Sequence, residues 1–405
     1  MFKNHSRLTI TILAALVLTA GLGLWHTLPD SVRNVVEPTA LAATFTVNTA
    51  DDHNDGVCNA ADCTLREAIN AANAGDTISF NIPGAGVHTI NLTSGLPILN
   101  KTVTIDGATQ PGFSRTPLIE LNGGGAGSVN GLILDGPNPV IKALVINRFS
   151  LHGINIAAGG GAVVQGCYLG TDATGTKYVG NGGDGIRIGS GSGNLIGGTS
   201  GNARNIINGN FGSGIRMIGG DAIIQGNFIG LMSDGSAIDG GNFGAGIAIN
   251  GGSATIGGTT SGAGNVIGGN LDIDLGGPPE KGFGIYIHGG VGSLVQGNFI
   301  GNVAGTGALP TDVGVFIDGA ANNVIGGTSP AARNIISGSL TGIQITNGSQ
   351  GRKRRTILCK ATSSVRTFLM ESPFRTVPAT TQSAERLSAP ETQSLIMGTT
   401  LSFIQ

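Results

Sequence analysis

Along most of the chain, apolar and polar positions alternate with a period of two, in runs too short to bury a face of their own. Gly185-Ile186-Arg187-Ile188 shows the form, and Gly-Ile-x-Ile returns at Gly153, Gly246, Gly284 and Gly342, with variants at Gly214 and Gly314. Successive copies stand 28 to 38 residues apart. Nearer the N-terminus, Phe45–Asn48, Asp76–Phe80, His88–Leu92 and Leu96–Ile105 also read as strands. One segment has a helical period instead: Leu65, Ala68, Ile69 and Ala72 fall on one face. Thr64-Leu65-Arg66-Glu67 starts it as a capping box, in which hydroxyl and carboxylate each bond the other residue's backbone N–H. Gly75 is expected to end it in the left-handed region.

A longer repeat decides the fold class. Ile196-Gly197-Gly198-Thr199 recurs at Ile256-Gly257-Gly258-Thr259 and Ile325-Gly326-Gly327-Thr328, about 60 residues apart until the insertion Leu271 to Lys281 stretches the period. Gln225-Gly226-Asn227-Phe228-Ile229-Gly230 recurs at Gln296–Gly301, with an imperfect copy at Gln165–Gly170. Gly and Asn between the strands are the residues that accept positive φ at tight bends. Short strands that cannot bury a face alone do so by stacking in parallel, coil on coil. The expected class is therefore all-β, a right-handed parallel β-helix (a solenoid) with a short N-terminal capping helix. A β-propeller fits less well, because its blades need longer antiparallel strands with aromatic signatures, and this chain has one Trp.

Composition adds boundaries. With 72 Gly but 40% hydrophobic residues, the chain has enough apolar surface for a long core, which makes disorder the weaker reading. Residues 1–43 read as an export signal: Lys3 and Arg7 precede an uncharged run from Leu8 to Trp25, and Ala40-Leu41-Ala42 has the small-x-small form of a cleavage site. An uncleaved anchor is the alternative, since the run approaches the length of a membrane span. Residues 44–120 form the N-terminal module and first coils, and 121–350 the repeats. Residues 44–350 carry 11 Lys and Arg against 19 Asp and Glu, a net of −8. That acidic body argues against nucleic acid as a partner.

After Gly351 the pattern stops. Residues 352–405 contain a single glycine, Gly398, and residues 351–405 carry a net charge of +5. They read as a non-repeat, disordered tail. Codons exist for Leu358–Thr367 whose shifted frame spells V-Q-G-N-F-I-G, and for Glu385–Ile396 whose same shift spells A-T-I-G-A-G-N-T-I. Both strings belong to the repeat, so a frameshift near residue 351 is the sharper reading of the tail.

Cys63-Thr64-Leu65-Arg66-Glu67-Ala68-Ile69, with the Asp-rich segment and Gly56-Val57-Cys58 before it, resembles the signature of bacterial CSLREA-domain proteins, with Thr64 in place of Ser. The resemblance covers roughly residues 44–350. It implies a pectin-lyase-like β-helix in a surface or secreted protein, and it brings no catalytic residues with it.

Candidate chemistry is sparse. Cys58 and Cys63, close together in a loop leading into the helix, are expected to pair, as export permits. Cys167 takes the slot of Asn227 and Asn298 and reads as a buried free thiol. Asp51, Asp55 and Asp62 are spaced like positions 1, 5 and 12 of a calcium loop, although His53 stands where an acid is wanted. Asp172 and Asp234 occupy equivalent loops and read as turn residues. The acids with the best case for catalysis are Asp272 and Asp274, which share one strand face in the insertion, with Lys281 and His288 nearby. His152 and His288 read as surface residues at bends, and Arg204 and Arg333 as structural. The glycine runs lack the lysine and strand–loop–helix context of a phosphate loop, so no small-molecule cofactor is expected; calcium is the one candidate. Two functional readings stand. The first is an exported, non-enzymatic structural or adhesive module that contacts extracellular polysaccharide or cell-surface components. The second is a polysaccharide lyase or hydrolase.

Overall fold

A computed structural model describes residues 42–236, 241–270, 282–301 and 311–346, together with three short strands at 358–360, 368–370 and 401–402. The segment read as an export signal lies outside this set, up to residue 41, as do Asp239, Asp272, Asp274 and Lys281. No helix among the described residues is long and apolar enough to cross a membrane.

The strands stack into three sheets of 12, nine and nine strands, called A, B and C here, parallel apart from one antiparallel pair at the C-terminal end of sheet A; from Thr104 to Thr346 each coil contributes one strand to each sheet in turn. One coil runs Asn194–Gly197 in sheet A, Ile206–Ile207 in sheet B and Ile215–Met217 in sheet C. This is a parallel β-helix with one short helix at its N-terminal end. The 60-residue sequence repeat is a pair of coils. In sheet A, Ile196 pairs with Ile224 and Ile224 with Ile256, so the two motif types alternate. The core is a set of single-residue columns. Ile154, Ile186, Ile215, Ile247, Ile285 and Val315 stand in register in sheet C, each fully buried. Burying one such side chain contributes about 2 kcal/mol.

Glycines permit the close stacking. Gly197 has φ +83°, and a Cβ there would lie 2.1 Å from the Gln225 carbonyl oxygen of the next coil. Gly226 has φ +68°, and its Cβ would lie 2.1 Å from the Gly198 oxygen. The two motifs therefore interlock where only glycine fits.

The asparagines act differently from the expectation. Among the described asparagines only Asn138 and Asn322 adopt positive φ. The repeated ones form two buried ladders. At the turn from sheet A to sheet B, Asn205 donates its amide N–H to Asn227 Oδ1 (2.9 Å), Asn227 to Asn265 (3.0 Å), Asn265 to Asn298 (2.9 Å) and Asn298 to Asn334 (3.0 Å). At the turn from B to C, Asn181, Asn210, Asn242 and Asn270 repeat the arrangement. Each rung also serves the backbone: Asn227 Nδ2 donates to the Ile196 oxygen, and Asn227 Oδ1 accepts from the Asn205 N–H. A turn buried by coils on both sides cannot use water, so the amides satisfy its polar groups. Cys167 opens the first ladder, its N–H donating to Asn205 Oδ1. It is buried and unpaired, and burial pushes its thiol up to about 12.

At the N-terminal end, helix Leu65–Ala71 covers the first coil and packs on the first two strands of sheet A, Thr44–Val47 and Thr77–Phe80. The capping box forms: Thr64 Oγ1 accepts from the Glu67 N–H, and Glu67 Oε2 accepts from the Thr64 N–H. The helix stops earlier than Gly75, because Ala72 is already extended. The buried Asp76 carboxylate accepts N–H groups from Asn73 and Ala43, which turns the chain into the next strand; Gly75, at φ +95°, belongs to that turn. Leu96–Ile105 is a corner rather than one strand. Leu99 bridges to Leu134 in sheet C, and only Thr104–Asp106 joins sheet A.

Three short strands of the tail are described, and the rest of the segment read as disordered lies outside the described residues. Leu358–Lys360 pairs in parallel with Val324–Gly326, Phe368–Met370 pairs in parallel with Ile343–Ile345, and Leu401–Ser402 pairs antiparallel with Leu358–Cys359. The last strand of a stack offers unpaired N–H and C=O groups, which take up an extended segment whatever its sequence.

Candidate functional site

The outer face of sheet C concentrates the side-chain chemistry of the body. Its central row runs Asn155, Arg187, Arg216, Ala248, Tyr286, Phe316 and Gln344, one residue per coil. Three positions earlier in the chain a second row contains His152, Asp184 and Ser213. The lateral spacing of adjacent strands, about 4.8 Å, brings these groups together from separate coils.

Asp184 is the centre of the polar half and is 3% exposed. Its Oδ1 accepts the Ser213 N–H (2.8 Å) and the Arg216 Nε–H (3.1 Å). Arg216 also donates to Ser213 Oγ at 3.2 Å. His152 Nδ1 accepts the Asp184 backbone N–H at 2.9 Å and stands 3.3 Å from Asp184 Oδ2. A nitrogen that accepts an N–H carries no proton, so the 3.3 Å approach is not a charged pair and the ring is neutral. Burial lowers the His152 pKa; the Asp184 charge opposes this, and Arg187 and Arg216 reinforce it. Arg187 stands beside Arg216 in register. Two unit charges at that separation repel by on the order of 1 kcal/mol in water. Asp184 compensates one of them.

The other half of the face is aromatic. The Tyr286 and Phe316 rings stack with centroids 5.5 Å apart, and Phe283 joins them at 5.3 Å from Tyr286 and 4.9 Å from Phe316. His288 continues the stack at 5.8 Å from Tyr286, and its Nδ1 meets Asp318 Oδ2 at 2.9 Å. Of the four residues proposed for catalysis, only His288 is within the described set.

Two further acids, Asp172 and Asp234, hold turns. Asp172 Oδ1 accepts the N–H groups of Thr176 and Lys177, and Asp234 Oδ1 accepts that of Ser236; the Ser236 side chain, and then this backbone bond, lower the Asp234 pKa. Arg204 lays its guanidinium over the Phe228 ring at 4.0 Å and donates to the Gly226 oxygen, a structural role.

In the cap, Cys58 and Cys63 form the expected disulfide. The calcium-loop residues do not converge. Asp51 accepts from Thr49 Oγ1, Asp55 from the Val57 N–H, and Asp62 Oδ2 meets His53 Nε2 at 2.7 Å.

The sequence reading missed the Asp184 cluster and took His152 for a surface residue, whereas it is half-buried and bonded. A signal was present. His152, Asp184 and Ser213 each precede the glycine of a Gly-Ile-x-Ile unit, so aligning the units stacks them in one column.

The chain matches no protein-family model and no curated protein. Among solved structures it is similar to the crystal structure of pectate lyase Pel9A, at 12% identity over 82% of this chain and 80% of that one, with a TM-score of 0.29. A likeness of that size transfers no residue role.

Proposed function

We propose that this chain is an exported, non-enzymatic β-helix module, of the kind that CSLREA-domain proteins carry, with a structural and adhesive role. Its partner is an acidic extracellular polysaccharide laid along the outer face of sheet C. The observation that carries this reading is the pairing of Arg187 with Arg216 in register on neighbouring strands, where Asp184 is bonded to Arg216. A uronate carboxylate would supply a counter-charge to Arg187, which has no ion pair among the described residues, and a guanidinium binds a carboxylate through two parallel N–H bonds. The Tyr286–Phe316 stack extends the same face with apolar surface for the sugar ring. The disulfide fits an oxidising compartment. The engagement of Asp172, Asp184 and Asp234 in bonds to their own backbone or to arginine favours a module over an enzyme.

Affinity electrophoresis tests the reading. Polygalacturonate or alginate in the gel should retard the protein, less so at high salt, and Arg187→Ala should weaken the retardation at least threefold. Equal retardation by a neutral glucan, or none by either acidic polymer, would sink the proposal.

A further inference from the structure

The cap holds a cluster of ligating side chains that differs from the one the spacing suggests. His53, Asp55 and Glu67 each offer one ligand atom, and the three atoms lie within 4.8 Å of one another. His53 Nε2 is 3.9 Å from Glu67 Oε1. Asp62 Oδ2 hydrogen-bonds the same nitrogen at 2.7 Å and is not one of the three converging atoms. Asp51, the first residue of the calcium spacing, is turned to Thr49 instead.

The charges do not balance. Glu67 is 2% exposed, and Asp55 and Asp62 stand beside it. The nearest arginine, Arg66, is spent on Asp52 through two bonds of 3.0 and 2.9 Å. Among the described residues, His53 is the one cationic partner of Glu67 and Asp62 in an ion pair. Glu67 keeps coordinating capacity: Oε2 accepts from both the Thr64 N–H and Oγ1, whereas Oε1 accepts only the Asp55 N–H.

We infer that the cap binds one divalent cation of the zinc class through His53, Asp55 and Glu67. The donor set selects the metal. Calcium wants six to eight oxygens, whereas one imidazole with two carboxylates suits a four-coordinate transition metal. His53, which disqualifies the calcium loop, is the donor that makes this site. The ion would tie the Asp-rich loop to the cap helix, since His53 and Asp55 belong to the loop and Glu67 to the helix, and the Cys58–Cys63 bridge closes the far side of the same loop. The inference is independent of the polysaccharide reading.

The test is calorimetric titration of the full chain, freed of metal by a chelator, with ZnCl2 and separately with CaCl2. Zinc should bind at one site with micromolar or tighter affinity and raise the thermal unfolding midpoint by a few degrees. His53→Ala and Asp55→Asn should each weaken zinc at least tenfold, while Asp51→Asn should leave it unchanged. Because Glu67 also caps the helix, the two loop variants carry the test, with circular dichroism checking that they fold. Calcium binding without zinc binding, binding of neither ion, or zinc binding unchanged in His53→Ala would overturn the inference.

Discussion

In the cap, order rests on side chains that have no second copy. Cys58 is bonded to Cys63, Arg66 is held by Asp52, and Glu67 serves both Thr64 and Asp55. From about residue 140 to residue 346, the same few contacts recur from coil to coil: an isoleucine on an isoleucine, an asparagine amide on the next, a glycine against a carbonyl. The cap must end a stack, so each of its groups faces something different. The coils must continue one, so each of their groups faces its own kind. Damage should therefore stay local in the cap and propagate to neighbouring rungs in the coils.

The largest effect is expected in the middle of a ladder. Asn227→Leu removes the acceptor of the Asn205 amide and the donor to Asn265, leaving buried polar groups unpaired on two neighbouring coils. Each orphaned group costs about 1–3 kcal/mol. Chemical denaturation followed by circular dichroism should show a loss of roughly 3 kcal/mol. A loss below 1 kcal/mol would mean that the ladder is not a structural element. Next comes the cap bridge. Replacing both Cys58 and Cys63 by serine opens a short loop, for which chain entropy predicts a loss of about 2 kcal/mol. Hydrogen exchange should then quicken over 44–80 and stay unchanged beyond residue 140; faster exchange throughout would erase the distinction between the two regions.

A smaller change should sharpen it. Cys167→Asn extends the first ladder by one rung, since the Cys167 N–H already donates to Asn205 Oδ1 and the Ile141 oxygen lies near its sulfur. Stability should stay level or rise by up to about 1 kcal/mol, the net worth of a buried hydrogen bond. A loss above 1 kcal/mol would show that the slot is not equivalent to the others. The smallest effect is a slope with pH. Burial holds the folded His152 pKa below its usual 6.5, so the folded state resists a proton that the unfolded chain accepts. Stability should fall as pH drops through 6.5 toward the lower folded value. His152→Asn keeps an acceptor for the Asp184 N–H and should flatten that slope; an unchanged slope would place the titration elsewhere.

The repeats made the architecture readable, because coil stacking imposes its period on the sequence and Gly-Ile-x-Ile marks one sheet strand by strand. The capping box, the disulfide and the turn role of Asp172 and Asp234 were also legible, being local in sequence. The asparagine ladders were not. Asn at a bend satisfies two explanations, positive φ and a buried amide rung, and only the neighbouring coil distinguishes them. The same limit hid Asp184, whose partners His152, Ser213 and Arg216 come from other coils. It also hid the His53–Asp55–Glu67 cluster, because the role of Glu67 as a helix cap accounted for it already.

The central functional claim is that this stack binds acidic polysaccharide without cleaving it. The most direct measurement is prolonged incubation of the full chain with polygalacturonate, alginate and chondroitin, with and without added zinc and calcium, following ultraviolet absorbance for unsaturated ends and a reducing-end assay for hydrolysis. The account predicts retention of the acidic polymers with no new ends of either kind. Steady release of unsaturated or reducing ends, proportional to protein and abolished by heating, would contradict it.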